Sequence, residues 1–222
     1  MHKPRSVEPS ESGRERTADG PPDTSLPAPS GATPKRARLT ASLRRYPHKM
    51  RGTLRGSPPR VSVAEILWSW LGAFLGIGAV GLLGRFVLTG ADNLFMIGSF
   101  GASAVLVYGA PHSPLAQPRN LVGGHMLSAL IGVLCYQVFH PIPGLTEAVA
   151  VASAIALMHL TRTLHPPGGA TALIAVIGSQ ELHALGYFFA LVPVGLGAVT
   201  LLIVGLLINN LSAHRRYPEF WL

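Results

Sequence analysis

Two polar stretches interrupt a long apolar region, and both carry side chains able to do chemistry. Residues 110–124 read APHSPLAQPRNLVGG, and residues 161–171 read TRTLHPPGGAT. Each combines a histidine, an arginine, prolines and a glycine pair, with a hydroxyl nearby. A helix starting at Pro166-Pro167-Gly168-Gly169 turns unpaired N–H groups and the positive end of its dipole toward the preceding turn. Glycine lets an ion approach that backbone closely. Thr171 adds a hydroxyl, while Arg119 and Arg162 add long-range positive potential. The set suits a small anion. The candidate substrate-binding residues are therefore His165, Pro166, Pro167, Gly168, Gly169 and Thr171, with Ser103, Arg119, Asn120 and Arg162.

Plainer readings exist for the same residues. Arg119 and Arg162 can snorkel toward water or tie loops together. His112, His125, His140, His159 and His183 lack ligand spacing and suit interfacial or packing roles. His159 and His165 are six apart, which does not stack them on one helical face, so no metal pair is expected. There is no nucleophile–base pair, phosphate loop or zinc pattern, so neither catalytic residues nor a cofactor is expected, and the chain is not read as an enzyme.

The elements that must position these residues follow from composition. The chain has 222 residues, 48% hydrophobic and 13% charged, with a net charge of +8. Residues 1–63 hold 13 of the 18 Lys+Arg and 5 of the 10 Asp+Glu, which accounts for the whole net charge. Residues 64–222 keep 5 basic and 5 acidic residues and no lysine. A soluble domain has about 25% charged residues, so residues 64–222 are too poor in charge to cover a water-exposed surface. A membrane protein is expected. A disulfide scaffold is excluded, because Cys135 is the one cysteine.

Four uncharged or nearly uncharged stretches reach spanning length, about 20 residues at about 1.5 Å each: residues 66–84, 121–139, 145–161 and 185–209. Two apolar pieces between them are short or broken, residues 94–110 and 168–179. Either can be a re-entrant half-helix or part of a broken span, tolerated only where protein or a wet cavity surrounds it. The two pieces are also alike. Gly101-Ala102-Ser103-Ala104-Val105-Leu106 aligns with Gly169-Ala170-Thr171-Ala172-Leu173-Ile174, 68 residues later. The order span, short element, span then occurs twice, the pattern that points to a transporter site at a repeat interface. The fold expected is all-α and polytopic, four long spans plus two re-entrant or broken helices. The two short helices should begin near one another and face a shared polar cavity. Basic residues flank both ends, which places both termini in the cytoplasm and makes the crossings even in number, four or six. Gly72/Gly76 and Gly124/Ser128/Gly132 give small faces for close packing within the chain or in a homo-oligomer.

The segment Leu164-His165-Pro166-Pro167-Gly168-Gly169-Ala170-Thr171-Ala172-Leu173 resembles the signature of the HPP family of integral membrane proteins. Gly98-Ser99-Phe100-Gly101-Ala102-Ser103-Ala104, Gln117-Pro118-Arg119-Asn120-Leu121-Val122-Gly123-Gly124-His125, and Asn209-Asn210-Leu211 with Arg215-Arg216-Tyr217-Pro218 are similar to other family stretches. The resemblance covers roughly residues 64–222. It implies a four-helix membrane domain, which favours re-entrant short elements, and it implies transport of nitrite, the activity ascribed to plastid and cyanobacterial relatives. The expectation is a transporter or channel for a small inorganic anion, nitrite first, in a bacterial inner (plasma) membrane. The rivals are a carrier of another small solute, a proton-coupled one using His165, and a scaffold or sensor subunit that moves nothing.

Residues 1–63 are rich in Pro, Ser, Thr and Arg and poor in core-forming residues, so they are expected to be disordered. Arg44, Arg45, Lys49, Arg51, Arg55 and Arg60 lie ahead of the first span with no acidic residue among them. That fits a cytoplasmic tail touching anionic lipid. Neither aromatic interleaving nor a folded module suggests nucleic acid as a partner. The acidic residues Glu8, Glu11, Glu15, Asp19 and Asp23 argue against a transit peptide. Met50 is a second candidate start. Translation from Met50 should therefore leave insertion and stability unchanged, because Lys49 is the last basic residue removed and Arg51, Arg55 and Arg60 still set the orientation. Membrane fractionation and thermal unfolding of the truncated protein check this, and loss of insertion would refute it.

Overall fold

Helix α1, Val63–Val87, opens where Ser62 Oγ accepts a hydrogen bond from the Glu65 N–H at 3.2 Å. It is apolar around its whole circumference. Ile66, Leu67, Trp70, Phe74 and Phe86 are exposed, as expected of a helix facing lipid rather than a core. A computed structural model describes Gly56 and residues 59–87, 98–139 and 142–222. Apart from Gly56 and residues 59–63, the tail expected to be disordered lies outside the described residues.

The other helices are α2 (Gly98–Gly109), α3 (Pro118–Phe139), α4 (Leu145–Leu160), α5 (Pro166–Ile177), α6 (Gln180–Ala184) and α7 (Leu196–Leu211). A short 3-10 turn, Pro114–Ala116, precedes α3. A π-type turn, Ala190–Gly195, leads into α7, and the extended backbone at Val192 before Pro193 breaks the two apart. The described residues are thus all-helical outside loops, and Pro59–Leu222 forms one compact unit.

Among the described residues, three helical runs are long and apolar enough to cross a bilayer: Val63–Phe86, Pro118–Phe139 and Ala190–Leu211. Four were expected. Residues 145–161 instead give a helix of 16 residues, about 24 Å. Gly144, at φ 82, opens that helix, and the turn holding Arg162 at φ 56 follows it. The last run begins at Ala190 rather than at 185, because α6 and the turns after it occupy the preceding residues. The short helices α2 and α5 are 12 residues each, about 18 Å. The double proline sits at the first two positions of α5, where a missing N–H costs least.

Contacts between small residues fix the helix directions. α5 runs beside α3 in the same direction. A side chain on Gly168 would meet Ser128 and the Gly124 carbonyl, and one on Gly132 would meet Ala172 and Ala175. α4 runs against α3, with Met158 near Gly124 and Ala150 clustered with Cys135. α2 runs against α5, since Ser99 meets Thr171 and Ser103 meets His165. α7 follows α2, Gly197 on Phe100 and Gly205 on Val107. The start of α1 is tied to the end of α7. Consecutive helices of 12 residues or more therefore alternate, α1, α3 and α5 one way and α2, α4 and α7 the other. Each short helix runs opposite to the helices before and after it, instead of leaving by the end at which it entered.

One end of the bundle is held by polar side chains. Arg215 donates to the carbonyl of Tyr108 at 3.0 Å and to Asn209 Oδ1 at 2.9 Å. Its other nitrogen reaches the Glu65 carbonyl at 3.0 Å and Ser69 Oγ at 2.8 Å, and pairs with the Glu65 carboxylate at 2.6 Å. Asn209 donates to the Val107 carbonyl. These bonds satisfy the carbonyls at the end of α2 that have no helical partner. Tyr217 lies outside the helices and donates its hydroxyl to the Ala116 carbonyl at 2.8 Å. Burial pushes its phenol above the usual range.

The small faces serve packing inside the chain. Gly72 and Gly76 on α1 receive the ring of Tyr108, whose hydroxyl donates to the Leu201 carbonyl at 3.0 Å. A side chain at Gly76 would overlap that ring, whereas Gly78 has nothing within 4 Å. Gly76→Val should thus cost about 1–3 kcal/mol and lower the thermal midpoint in detergent, and Gly78→Val should leave it unchanged. Equal midpoints for the two variants would contradict this packing.

Candidate functional site

The expected site residues separate into a buried hydrogen-bonded group and a second group at the turn ahead of α5. Ser103, His165 and Thr171 have no exposed surface, and two residues not grouped with them, His125 and Ser99, join them. Ser103 Oγ lies 2.6 Å from His125 Nε2 and 2.9 Å from His165 Nε2. Thr171 Oγ1 lies 2.7 Å from His125 Nδ1 and 2.9 Å from Ser99 Oγ. His165 Nδ1 donates to the Leu115 carbonyl at 2.8 Å. The five side chains form one continuous hydrogen-bonded chain where α2, α3 and α5 meet. A buried polar group without a partner costs about 1–3 kcal/mol on protein mutational scales, and here each of the four ring nitrogens has one.

Ser103 and Thr171 are the aligned positions, 68 apart, and they hold opposite nitrogens of His125. Each also lies within hydrogen-bond distance of the carbonyl four residues earlier, Ser103 of Ser99 at 3.1 Å and Thr171 of Pro167 at 3.4 Å. The starts of α2 and α5 do approach one another. The polar cavity expected between them is instead filled by these side chains, which bond directly to each other.

The start of α5 offers fewer free donors than its sequence suggests. Pro166 and Pro167 have no N–H, and the Gly168 N–H is taken by the His165 carbonyl at 2.8 Å. Gly168 faces α3 and α4, where an added Cβ would stand 2.7 Å from Ser128 Oγ and 3.1 Å from Met158 Sδ. Gly169 faces away from the cluster, onto an open apolar groove of about 570 Å³ between α4 and α5. A second groove, of about 370 Å³, lies between α2 and the other side of α5.

Arg119, Asn120 and Arg162 sit at the turn end. Arg119 donates to the Thr161 carbonyl at 2.6 Å, and Asn120 donates to the Leu164 carbonyl at 2.8 Å. Both tie the start of α3 to the turn between α4 and α5. Arg162 is exposed, with a positive φ of 56. None of the three is hydrogen-bonded to the buried chain.

The family model for the HPP transmembrane region matches residues 58–218. The chain belongs to the HPP family. Two proteins of Dictyostelium discoideum, each named a transmembrane protein, are similar to it. One is 48% identical over 168 residues, 74% of this chain and 54% of the relative; the other is 43% identical over 167 residues, 74% and 58%. The chain thus spans little more than half the length of these HPP relatives. No solved structure matches. Both relatives are eukaryotic, and they add no particular membrane to the integral membrane location that the family match establishes.

His125 was placed among the scattered histidines, and Ser99 was not singled out. A signal for His125 was present. It is next to Gly124 and three residues before Ser128, on the small face read as close-packed, where a histidine must find buried partners. Ser99 lies one turn before Ser103 on α2 and carries no such cue.

The packing separates the two glycines. Gly168→Ala should lower the thermal midpoint, at a cost of about 1–3 kcal/mol, because Ser128 and the Gly124 carbonyl must yield. Gly169→Ala should be neutral, since an added Cβ meets only Val151 at 3.8 Å. Thermal unfolding of the two variants side by side checks this, and the reverse order would refute it.

Proposed function

We propose that this chain is a membrane transporter, not an enzyme, and that it passes a small inorganic anion where α2 and α5 meet. One observation carries the reading. Two short helices at repeat-related places run antiparallel and join through a buried polar chain inside an otherwise apolar bundle. Short helices at matching places of two halves mark substrate sites in secondary transporters. A scaffold has no need of polar groups buried at that depth, each of which costs free energy unless partnered. The alternating directions support six passes, with both ends of the described chain on the cytoplasmic face by the lysine/arginine rule.

Nitrite is the anion that the family resemblance implies. The geometry supports the anion through Arg119 and Arg162, two positive charges at the turn ahead of α5. All five buried side chains are closed to solvent, so passage needs the two repeats to move apart, as in alternating access.

Initial uptake of nitrite into vesicles, with nitrate and chloride as comparators, tests the reading. Arg119→Gln and Arg162→Gln should each slow uptake, by about tenfold at low salt and less at about 0.15 M. Lysine at either position should retain part of the activity, keeping the charge while losing the planar fork. Equal uptake by wild type and both glutamine variants would remove the electrostatic role. No uptake of any solute by the wild type would favour the scaffold.

A further inference from the structure

We infer that His125 and His165, joined through Ser103 and continued by Thr171 and Ser99, form a relay that takes up one proton and reverses direction when it does. The inference rests on the transport reading only for the solute that travels with the proton.

The argument is proton counting on the bonds. A carbonyl only accepts, so His165 Nδ1 must carry hydrogen in every state, given its 2.8 Å contact with the Leu115 carbonyl. In neutral His165, Nε2 is then bare and accepts from the Ser103 hydroxyl at 2.9 Å. That hydroxyl has one proton, so His125 Nε2 must donate to Ser103 Oγ at 2.6 Å. His125 Nδ1 is consequently bare and accepts from Thr171 at 2.7 Å. In this state the chain runs from Thr171 through His125 and Ser103 to His165, and both rings are neutral.

One added proton reverses it. The proton arrives on Ser99 Oγ as the proton already there passes to Thr171 Oγ1. Thr171 gives its own to His125 Nδ1, His125 Nε2 gives its own to Ser103, and Ser103 gives its own to His165 Nε2. Each transfer breaks one O–H or N–H bond and forms another, and nothing is oxidised or reduced. His165 now carries both protons and donates to Ser103, which can donate to His125 Nε2 or to the Ser99 carbonyl at 3.1 Å. His125 donates from Nδ1 to Thr171, and Thr171 donates to Ser99 at 2.9 Å. The two states use the same heavy-atom positions.

The surroundings leave the histidines to do this. From α2 the edge of Phe100 meets His125, with ring centroids 5.3 Å apart. α4 brings Met158 near the start of α5, and its His159 lines the apolar groove outside. Ahead of α3, His112 turns outward to Glu219. Arg119 is bonded to the Thr161 carbonyl, and Arg162 is exposed. α5 and the π-type turn before α7 carry no charged side chain. Among the described residues, no charged side chain hydrogen-bonds to either ring.

The test uses the full chain, with nitrogen-15 in its histidines, in phosphatidylcholine/phosphatidylglycerol vesicles. Solid-state NMR reads which nitrogen of each ring bears hydrogen from about pH 8 down to about pH 3.5, across the ordinary histidine range and below it. On acidification, His125 should change from Nε2–H to Nδ1–H while His165 gains a proton on Nε2, in one shared titration step. A pH-sensitive dye inside the same vesicles should show proton entry with nitrite. Ser103→Ala should abolish both the change at His125 and the coupled proton entry, and Ser103→Thr should restore them. His125 holding one tautomer throughout, or two independent titrations, would overturn the relay even if nitrite uptake is intact. Nitrite uptake without proton entry would overturn its coupling role. Tautomer reversal without uptake of any solute would leave the relay standing and remove the transport reading instead.

Discussion

A histidine with both nitrogens buried has to be matched on both sides, and His125 sets that constraint for this fold. Its ring lies on α3, the helix at the centre of the bundle, and its partners come from α2 and α5. The ring has no exposed surface, so each nitrogen left unmatched would cost a few kcal/mol in so apolar a setting. The two short helices are therefore fixed in height and rotation by hydrogen bonds as well as by packing. Ser103 and Thr171, the aligned hydroxyls on two antiparallel helices, must sit on opposite sides of one ring.

Close packing makes that geometry attainable. Gly124, Ser128 and Gly132 leave α3 without bulk where α5 lies, and Gly168 does the same from the other helix. Without hydrocarbon–water contrast to drive helices together inside a bilayer, such small-residue contacts and interhelical hydrogen bonds carry the association. The polar end of the bundle repeats the principle. Arg215, Asn209 and Tyr217 satisfy carbonyls of α2 and the loop after it, holding the end of α2 at a fixed depth. The path from sequence to function runs through these fixed depths, because they determine which hydroxyl meets which ring nitrogen.

Much of this was legible in the sequence, for reasons specific to particular residues. The long spans at α1, α3 and α7 follow from runs without charge, and the start of α5 from the double proline. The alignment of Ser103 with Thr171 marked the two positions that flank His125. What was hidden depends on rotation and depth, which composition does not encode. Gly168 and Gly169 look equivalent in the sequence, but Gly168 is the one turned into the bundle. Arg215 is one of the basic residues that flank the last span, yet it is buried and bonded to three segments. The third expected span gives a helix of 16 residues, bounded by the positive φ at Gly144 and at Arg162.

The central claim is that α2 and α5 meet at Ser99 and Thr171, beside His125. Disulfide trapping tests it most directly. The pair Ser99→Cys and Thr171→Cys, in a Cys135→Ala background, would place two sulfurs where oxygens now stand 2.9 Å apart, within reach of a bond whose Cβ atoms lie about 3.5–4.5 Å apart. Mild oxidation in membranes, with a protease site introduced between the two positions, should leave the fragments joined until a reductant is added. Fragments that separate without reductant, although the cysteines are present and the protein is inserted, would contradict the meeting of the two helices.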